Sequence, residues 1–369
     1  MKGTMIVAGH LCLDITPVIP RHATYESVAQ LLVPGTLIHT TGAQVHTGGC
    51  VGNTGMALKK LGARVRLLGK TGSDAFGALL RERLGDAGGD VIVSDVDTTS
   101  YTVVLAIPGL DRMFLHDPGA NDTFRADDIL DDALSGAALI HFGYPPLMRS
   151  MMENGGAELI KLFGRAHAMG AATSLDLASV DPNAPESRLD WEGYLSRVLP
   201  HTDIFTPSFE EICFMLDRPR YDRLSRQGGS MSGKLDWEDD VIPLGRKLLS
   251  MGAGIVLLKC GTKGMLLMTA DRQHIEGLPA ALELDAESWA GITHCQPCYP
   301  AEIVRSETGA GDVSIAAFLL AMGRGYRPQA CAALAAMEGA CSVTAYDALS
   351  GLKSFEELTG KIQQGWKKT

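Results

Sequence analysis

Late in the chain, residues 305–320 read RSETGAGDVSIAAFLL. Gly309, Ala310 and Gly311 open an apolar helix. Small residues at a helix start leave backbone N–H groups unpaired and uncovered, so an anion can approach them at the positive end of the helix dipole. Asp312 follows directly, and a carboxylate beside such an anion hole cannot be there to bind negative charge. It is suited to accept a proton from an attacking hydroxyl. The same residue is also a favoured helix N-cap, and these residues alone leave both roles open.

Three further stretches carry residues of the same kind. In GHLCLDI, Asp14 is expected at the C-terminal edge of the first strand, where doubly wound sheets bind ligands and where a carboxylate can accept hydrogen bonds from two sugar hydroxyls; a turn cap is the alternative. HTGGCVGNTGMALKKLG places Gly48, Gly49 and Asn53 at a helix start, the glycines admitting a ligand to the backbone and the amide able to donate and accept. A turn followed by a capped helix explains that stretch equally well. VLLKCGTKG is a strand ending in Gly261-x-x-Gly264, a tight turn whose exposed backbone could lie along a nucleotide.

FTPSFEEICFML sets Glu210 and Glu211 in the first turn of a helix. Glu210 reads as a partner of the helix dipole; Glu211 is the candidate for holding Mg²⁺, through water, because Mg²⁺ keeps much of its hydration shell. Neither G-x-x-x-x-G-K-[ST] nor an early G-x-G-x-x-G occurs, which argues against a P-loop kinase and a standard dinucleotide-binding dehydrogenase.

The elements that must position these residues alternate. Short β-branched runs (TMIVAGH, RVRLLGKTG, AALIHFG, AATSLDLA, HTDIFTPS, AGIVLLKCG) are separated by helical patterns, the order expected of parallel β-α units covered on both faces. Gly62, Gly170 and Gly252 fall where helices should stop. About residues 15–47 and 97–118 the rhythm breaks into patterns of antiparallel strands, the second a hairpin around Pro108-Gly109, and these are read as a small β-lid. Residues 217–240 are polar and mixed in charge, as a mobile surface insertion would be, and residues 276–304 show no period.

Composition narrows the class. The 369 residues carry a formal charge of -10 without a basic block, so nucleic acid is not an expected partner. The eight cysteines are scattered through mostly apolar stretches, which suggests a reducing, cytoplasmic setting; Cys295 and Cys298 form a C-x-x-C without the second ligand pair of a structural zinc site. No window approaches the roughly 20 apolar residues of a membrane helix, so no membrane partner is expected.

Taken in order, these pieces resemble the ribokinase-like (PfkB-type) carbohydrate kinase family over nearly the whole chain. The resemblance implies one ribokinase-like kinase domain over 1–369: an α/β three-layer sandwich with a central, mostly parallel sheet and a small β-lid. It also implies transfer of the γ-phosphoryl group of ATP, with Mg²⁺, to a hydroxyl of a sugar or sugar-like substrate. In that reading Asp312 is the base and the backbone of Gly309, Ala310, Gly311 and Asp312 the anion hole. Asp14, Gly48, Gly49 and Asn53 bind the sugar; Lys259, Gly261 and Gly264 lie along the nucleotide. HDPGAND is similar to the family's return from the lid, where Asn121 either faces the substrate or turns the chain. Lids in this family often pair between subunits, which implies a homodimer.

The chain departs from the family in three places that matter. Ser306-Glu307-Thr308 stands where Asp-Thr-x is usual, which puts a monovalent-cation site in doubt; Ser208 replaces an asparagine, and Asp347 a glycine. A nucleoside kinase of the same fold, or a non-catalytic sugar- or nucleotide-binding regulator derived from it, are the alternatives.

Overall fold

The computed structural model describes residues 3–20, 24–110, 112–226 and 228–368. Parts of the stretches expected as lid (21–23 and 111) and as insertion (227) lie outside the described residues. Among the described residues there are fourteen strands: Thr4–Gly9 (β1), Cys12–Pro17 (β2), Ala43–Gly48 (β3), Val65–Leu68 (β4), Lys70–Gly72 (β5), Ile92–Ser94 (β6), Tyr101–Leu105 (β7), Met113–Asp117 (β8), Ala137–Gly143 (β9), Ala172–Asp176 (β10), Ile204–Phe205 (β11), Ile255–Lys259 (β12), Met265–Thr269 (β13) and Thr293–Gln296 (β14).

The central sheet runs β14-β13-β12-β11-β10-β9-β1-β4. It is parallel from β12 to β4, with β13 and β14 added antiparallel at one edge. Successive side chains of a strand point to opposite faces, and here both faces are dry. Val7, Leu257 and Leu267 join a core with Ile315, Phe318 and Leu319 of the helix Ala310–Gly323. Ile6, Val256 and Leu266 join the opposite core with Leu162 and Phe163 of the helix Ala157–Ala168. The result is the expected three-layer α/β sandwich with a mostly parallel sheet. The helix-ending glycines Gly62, Gly170 and Gly252 all have positive φ, which a Cβ would strain.

A separate four-stranded sheet, β3-β2-β7-β8, is built from the two stretches that break the α/β rhythm. One expectation needs correction here: Asp14 is not at the end of the first strand. That strand stops at Gly9, whose φ is +116° and whose position leaves no room for a Cβ, since the Gly143 carbonyl would lie 2.4 Å from it. The chain crosses at His10 and Leu11 and re-forms as β2, which carries Asp14 into the four-stranded sheet.

Asn121 secures that crossing. It is fully buried; its Oδ1 accepts from the Leu11 N–H at 3.1 Å and its Nδ2 donates to the Leu11 carbonyl at 3.1 Å. Of the two roles left open for Asn121, facing the substrate and turning the chain, the amide's bonds to backbone correct the first in favour of a structural one.

Two aperiodic regions acquire structure. Within 217–240 lies the helix Arg218–Ser225, and Leu224, Met231 and Leu235 are buried in the main core. Residues 276–304 supply β14 and the buried Trp289, so this region completes the sheet edge.

Asn121→Ala would leave the Leu11 N–H and carbonyl buried without partners. Thermal or urea unfolding should show a loss of about 2–4 kcal/mol, given about 1–3 kcal/mol for each unsatisfied group.

Candidate active site

The parallel strands end at one edge of the sheet, and the order reverses between β1 and β9, the place where doubly wound folds bind ligands. Tyr144 follows β9 there in left-handed conformation, φ +67°. Asp176 ends β10, Thr206 follows β11 and Lys259 ends β12, so four consecutive strands deliver a polar group to the same edge.

The helix Ala310–Gly323 starts over this edge. Its N-cap is Gly309, at φ +76° and so close to Ala348 that an added Cβ would lie 2.2 Å from that residue's methyl group. No side chain caps the helix, and Asp312 sits at its third position, not its cap. The capping role left open by the sequence is thereby excluded.

The Asp312 carboxylate is buried and held by three side chains. Tyr144 OH donates at 2.7 Å to either oxygen, Thr54 Oγ1 donates to Oδ1 at 2.9 Å, and Asn53 Nδ2 donates to Oδ2 at 3.1 Å. Asn53 and Thr54 belong to a buried π-helical turn, Val51–Gly55, the local form that lets both aim at one carboxylate. Burial raises the Asp312 pKa above the usual carboxylate value; the Tyr144 hydrogen bond, the nearby Lys259 charge, Thr54 and Asn53 oppose it without cancelling it.

Lys259 lies beneath the glycine-rich loop, its Cε 3.4 Å from where a Cβ on Gly311 would be. Its Nζ donates to Asp176 Oδ1 at 2.7 Å and to the Thr206 carbonyl at 2.6 Å. Burial disfavours its charge, but Asp176, Glu211 and Asp312 outweigh this and hold its pKa up, so it stays cationic. Burial pushes Asp176 up, against the pull of Lys259. Lys259, expected along a nucleotide, thus lies beneath the glycine-rich loop with two bonds to the protein.

Glu211 closes a capping box: its Oε2 accepts from the Ser208 N–H at 2.8 Å while Ser208 Oγ accepts from the Glu211 N–H at 3.2 Å. The serine that replaces the family's asparagine therefore caps the helix. Gly261 and Gly264 have φ of +54° and +111°; at Gly264 a Cβ would meet the Gln296 carbonyl at 2.1 Å, so this glycine is required by the neighbouring β14 edge.

Across the four-stranded sheet a row of directly paired residues runs His46–Asp14–Thr102–His116. Residues opposite one another share a face, and this polar face is the one coupled electrostatically to Asp312 through Asp14. Gly48 is needed because the Asp14 carboxylate occupies the space a Cβ would fill, 2.4 Å away, and Gly49 because His10 does the same at 2.5 Å. Burial raises the Asp14 pKa. His10, fully buried and 3.3 Å from His116 between ring Nε2 atoms, is lowered to about 3 by burial and by His116, and is neutral. Beside the row, a cavity of about 330 Å³ is lined by Gln44, His46, Arg305, Tyr346 and Asp347, among others.

With this geometry in place, residues 11–354 match the model of the pfkB family carbohydrate kinase. The chain belongs to the pfkB family of carbohydrate kinases. It is 25% identical over 296 residues to an uncharacterized sugar kinase of Archaeoglobus fulgidus, which covers 79% of this chain and 96% of that one. It is also 25% identical over 290 residues to a ribokinase of Arabidopsis thaliana, covering 77% of this chain and 64% of the relative. Among solved structures it resembles Arabidopsis thaliana ribokinase complexed with ribose and ATP (TM-score 0.69, 22% identity, 98% of each chain) and a fructokinase from Xylella fastidiosa with bound ATP (TM-score 0.70, 20% identity, 100% of each chain).

Within this kinase, four members of the cluster were not singled out from sequence: Thr54, Tyr144, Asp176 and Thr206. Each follows or ends an apolar run or adjoins a named residue, a positional signal shared by many residues that do nothing.

Tyr144→Phe removes the strongest hydrogen bond that keeps Asp312 ionised, so the Asp312 pKa should rise further. Provided Asp312 must be deprotonated for turnover, the acid limb of the pH–rate profile should move to higher pH, with little change on the alkaline side.

Proposed function

We propose that this carbohydrate kinase transfers the γ-phosphoryl group of ATP to a hydroxyl of a sugar or sugar-like substrate, with Asp312 as general base. One observation carries this reading: a buried carboxylate at the third position of an uncapped helix whose first-turn N–H groups have no carbonyl of their own helix to bond. The acceptor hydroxyl gives its proton to Asp312 as its oxygen attacks phosphorus, and ADP leaves. The backbone N–H groups of Gly309, Gly311 and Asp312 bind the oxygens of the transferred group, while that of Ala310, expected among them, is bonded to the Glu307 carbonyl at 3.2 Å; Lys259 supplies positive charge from below. Phosphoryl transfer asks mainly for such positioning and charge stabilisation.

Asp14, with Gly48 making room for it and Gly49 for His10, is the sugar-binding carboxylate; Asn53 serves the site by holding the base. Gly261 and Gly264 border the nucleotide. The four-stranded sheet acts as a lid that excludes the water which would otherwise receive the phosphoryl group.

Magnesium fits this site only at second hand. Among the described residues no cluster of three His, Cys, Asp or Glu is placed to hold a metal ion directly, and one oxygen of Glu211 is spent on the helix cap. The free side of Glu211 would hold the hydrated ion beside the phosphates, where Mg²⁺ neutralises their charge. Ser306-Glu307-Thr308 does not supply the Asp-Thr-x expected around a monovalent cation, so turnover without added potassium is proposed.

A cytoplasmic location is proposed from the cysteine usage; no helix among the described residues is long and apolar enough to cross a membrane. A homodimer through the lid is supported by the edge strand β8, where Phe114 and Leu115 are 56% and 59% exposed. Sedimentation should give a dimer, and Leu115→Glu a monomer with unchanged folding.

An acceptor panel of sugars, polyols and nucleosides with ATP and Mg²⁺, followed by ADP formation, tests the activity. Turnover is expected with a sugar-like alcohol; nucleosides as the preferred class would move the assignment to a nucleoside kinase, and tight sugar binding without turnover to a regulator. Asp312→Asn should lower kcat by about 10²–10⁴-fold with ATP binding retained. Near-normal turnover of that variant removes Asp312 as the base.

A further inference from the structure

The cavity of about 330 Å³ beside the polar row takes its walls from distant parts of the chain. One wall is β3, where Gln44 and His46, two residues apart, project from a single face. The other is the loop 344–351, with Tyr346, Asp347 and Ser350, and Arg305 completes the lining. The volume falls within the range of small-molecule sites, about 300–1,000 Å³.

His46 joins this cavity to the acceptor side of the active site. It stands directly opposite Asp14 in the register of β2 and β3, and residues so paired lie side by side on one face. Its imidazole acts on two carboxylates, Asp14 and Asp347, and favours the ionised form of each. The cavity therefore continues the row His46–Asp14–Thr102–His116 past its β3 end.

The charges that line it are not equally satisfied. Burial pushes Asp347 up, but Ser350, Leu349 and His46 outweigh this, and Asp347 Oδ1 accepts from the N–H groups of Leu349 and Ser350 at 2.8 Å each. That carboxylate is spent on its own loop. Arg305 is held through its backbone, whose N–H donates to the Val343 carbonyl at 2.8 Å. Its guanidinium carbon lies 5.5 Å from the centre of the Tyr346 ring, and the side chain makes no ion pair or hydrogen bond among the described residues. The unmet charge is thus positive, on a planar fork of N–H groups whose shape matches a carboxylate or a phosphate.

We propose that this cavity is the distal subsite of the phosphoryl acceptor, and that the acceptor is a sugar derivative with an anionic group, a carboxylate or a phosphate ester, bound by Arg305 while Asp14 holds its hydroxyls. The assignment rests on the kinase reading given above. Gln44 donates to the same anionic group from β3, and His46 separates that group from the Asp14 carboxylate. Because β3 belongs to the four-stranded sheet and Arg305 to the run leading into the glycine-rich loop, a bound anion also ties these two parts of the site together.

Matched acceptors test this: a neutral sugar, the sugar acid of the same chain length and its terminal phosphate ester, each with ATP and Mg²⁺. Wild type should favour one of the anionic forms over the neutral one by at least about 30-fold in kcat/KM, and the form favoured separates carboxylate from phosphate. Arg305→Gln should cut that preference at least about 10-fold, through a higher KM for the anionic acceptor with kcat within about 3-fold, because a contact made equally in ground and transition states affects binding alone. Arg305→Lys should keep part of the preference, since an ammonium retains the charge without the fork.

A neutral sugar preferred over both anions overturns the proposal and leaves the kinase reading standing. An anionic preference that Arg305→Gln leaves within about 3-fold also overturns it. If wild type turns over no acceptor, the kinase reading fails and calorimetric binding of the same sugar acid and sugar phosphate decides the subsite. Binding tighter than that of the neutral sugar, weakened at least about 10-fold by Arg305→Gln, then supports it; equal affinities in the two proteins, or no binding, overturn it.

Discussion

A carboxylate taken out of water at the start of a helix has to be bonded from several directions at once, and the site of this kinase is organised around that requirement at Asp312. An isolated ionised carboxylate in an apolar interior is too costly to persist. Here the cost is offset by three donors, Tyr144, Thr54 and Asn53, together with the helix dipole and Lys259. None of the three donors is local to Asp312. The end of β9 must turn left-handed to bring in Tyr144, and the segment after β3 must open as a π-helical turn to bring in both Thr54 and Asn53. The junction of β1 and β9, the glycine-rich loop and the second sheet are thereby tied to a single side chain.

The same burial that makes Asp312 expensive makes it useful. Desolvation and hydrogen bonding push in opposite directions, and the balance leaves the Asp312 pKa above the usual carboxylate value. Lys259 is the hinge of this balance, since it faces Asp176, Glu211 and Asp312 together. A lysine surrounded by more carboxylates than it can neutralise cannot by itself accommodate a triphosphate. The site is short of positive charge as it stands, with Asp176, Glu211 and Asp312 all facing one lysine.

Much of this was legible in the chain, because local chemistry carries it. The strand and helix alternation, the glycine helix stops and the GAGD helix start are all written in contiguous residues. What was misread depended on partners distant in sequence. Asp14 was placed at the end of β1 because GHLCLDI reads as one apolar strand, whereas the Gly143 carbonyl pressing on Gly9 forces a break there. Asn121 stays open between facing a substrate and turning the chain until Leu11 is seen to occupy both ends of its amide. Tyr144 and Thr54 gave no signal at all, since neither residue type nor spacing marks a donor whose acceptor lies more than 160 positions away. The antiparallel edge β13-β14 was missed for a similar reason: Trp289 and its neighbours have no period of their own and are ordered by the sheet they complete.

The polar face of the four-stranded sheet is a matter of strand register. Side chains alternate along a strand, so a slip of one residue would send every polar group of a sheet face to the other side. The row His46–Asp14–Thr102–His116 is held on one face by three independent strand pairings, while the flanking row Val45–Ile15–Val103–Leu115 faces away. Gly48, paired with Cys12, leaves the space that the Asp14 carboxylate occupies on the same face. A substitution that enlarged Gly48 would press on the Asp14 carboxylate itself. The glycine pair read from the sequence as room for a sugar is therefore first of all room for the protein's own aspartate and histidine, and the shape left for a substrate is what remains after those two side chains have been seated.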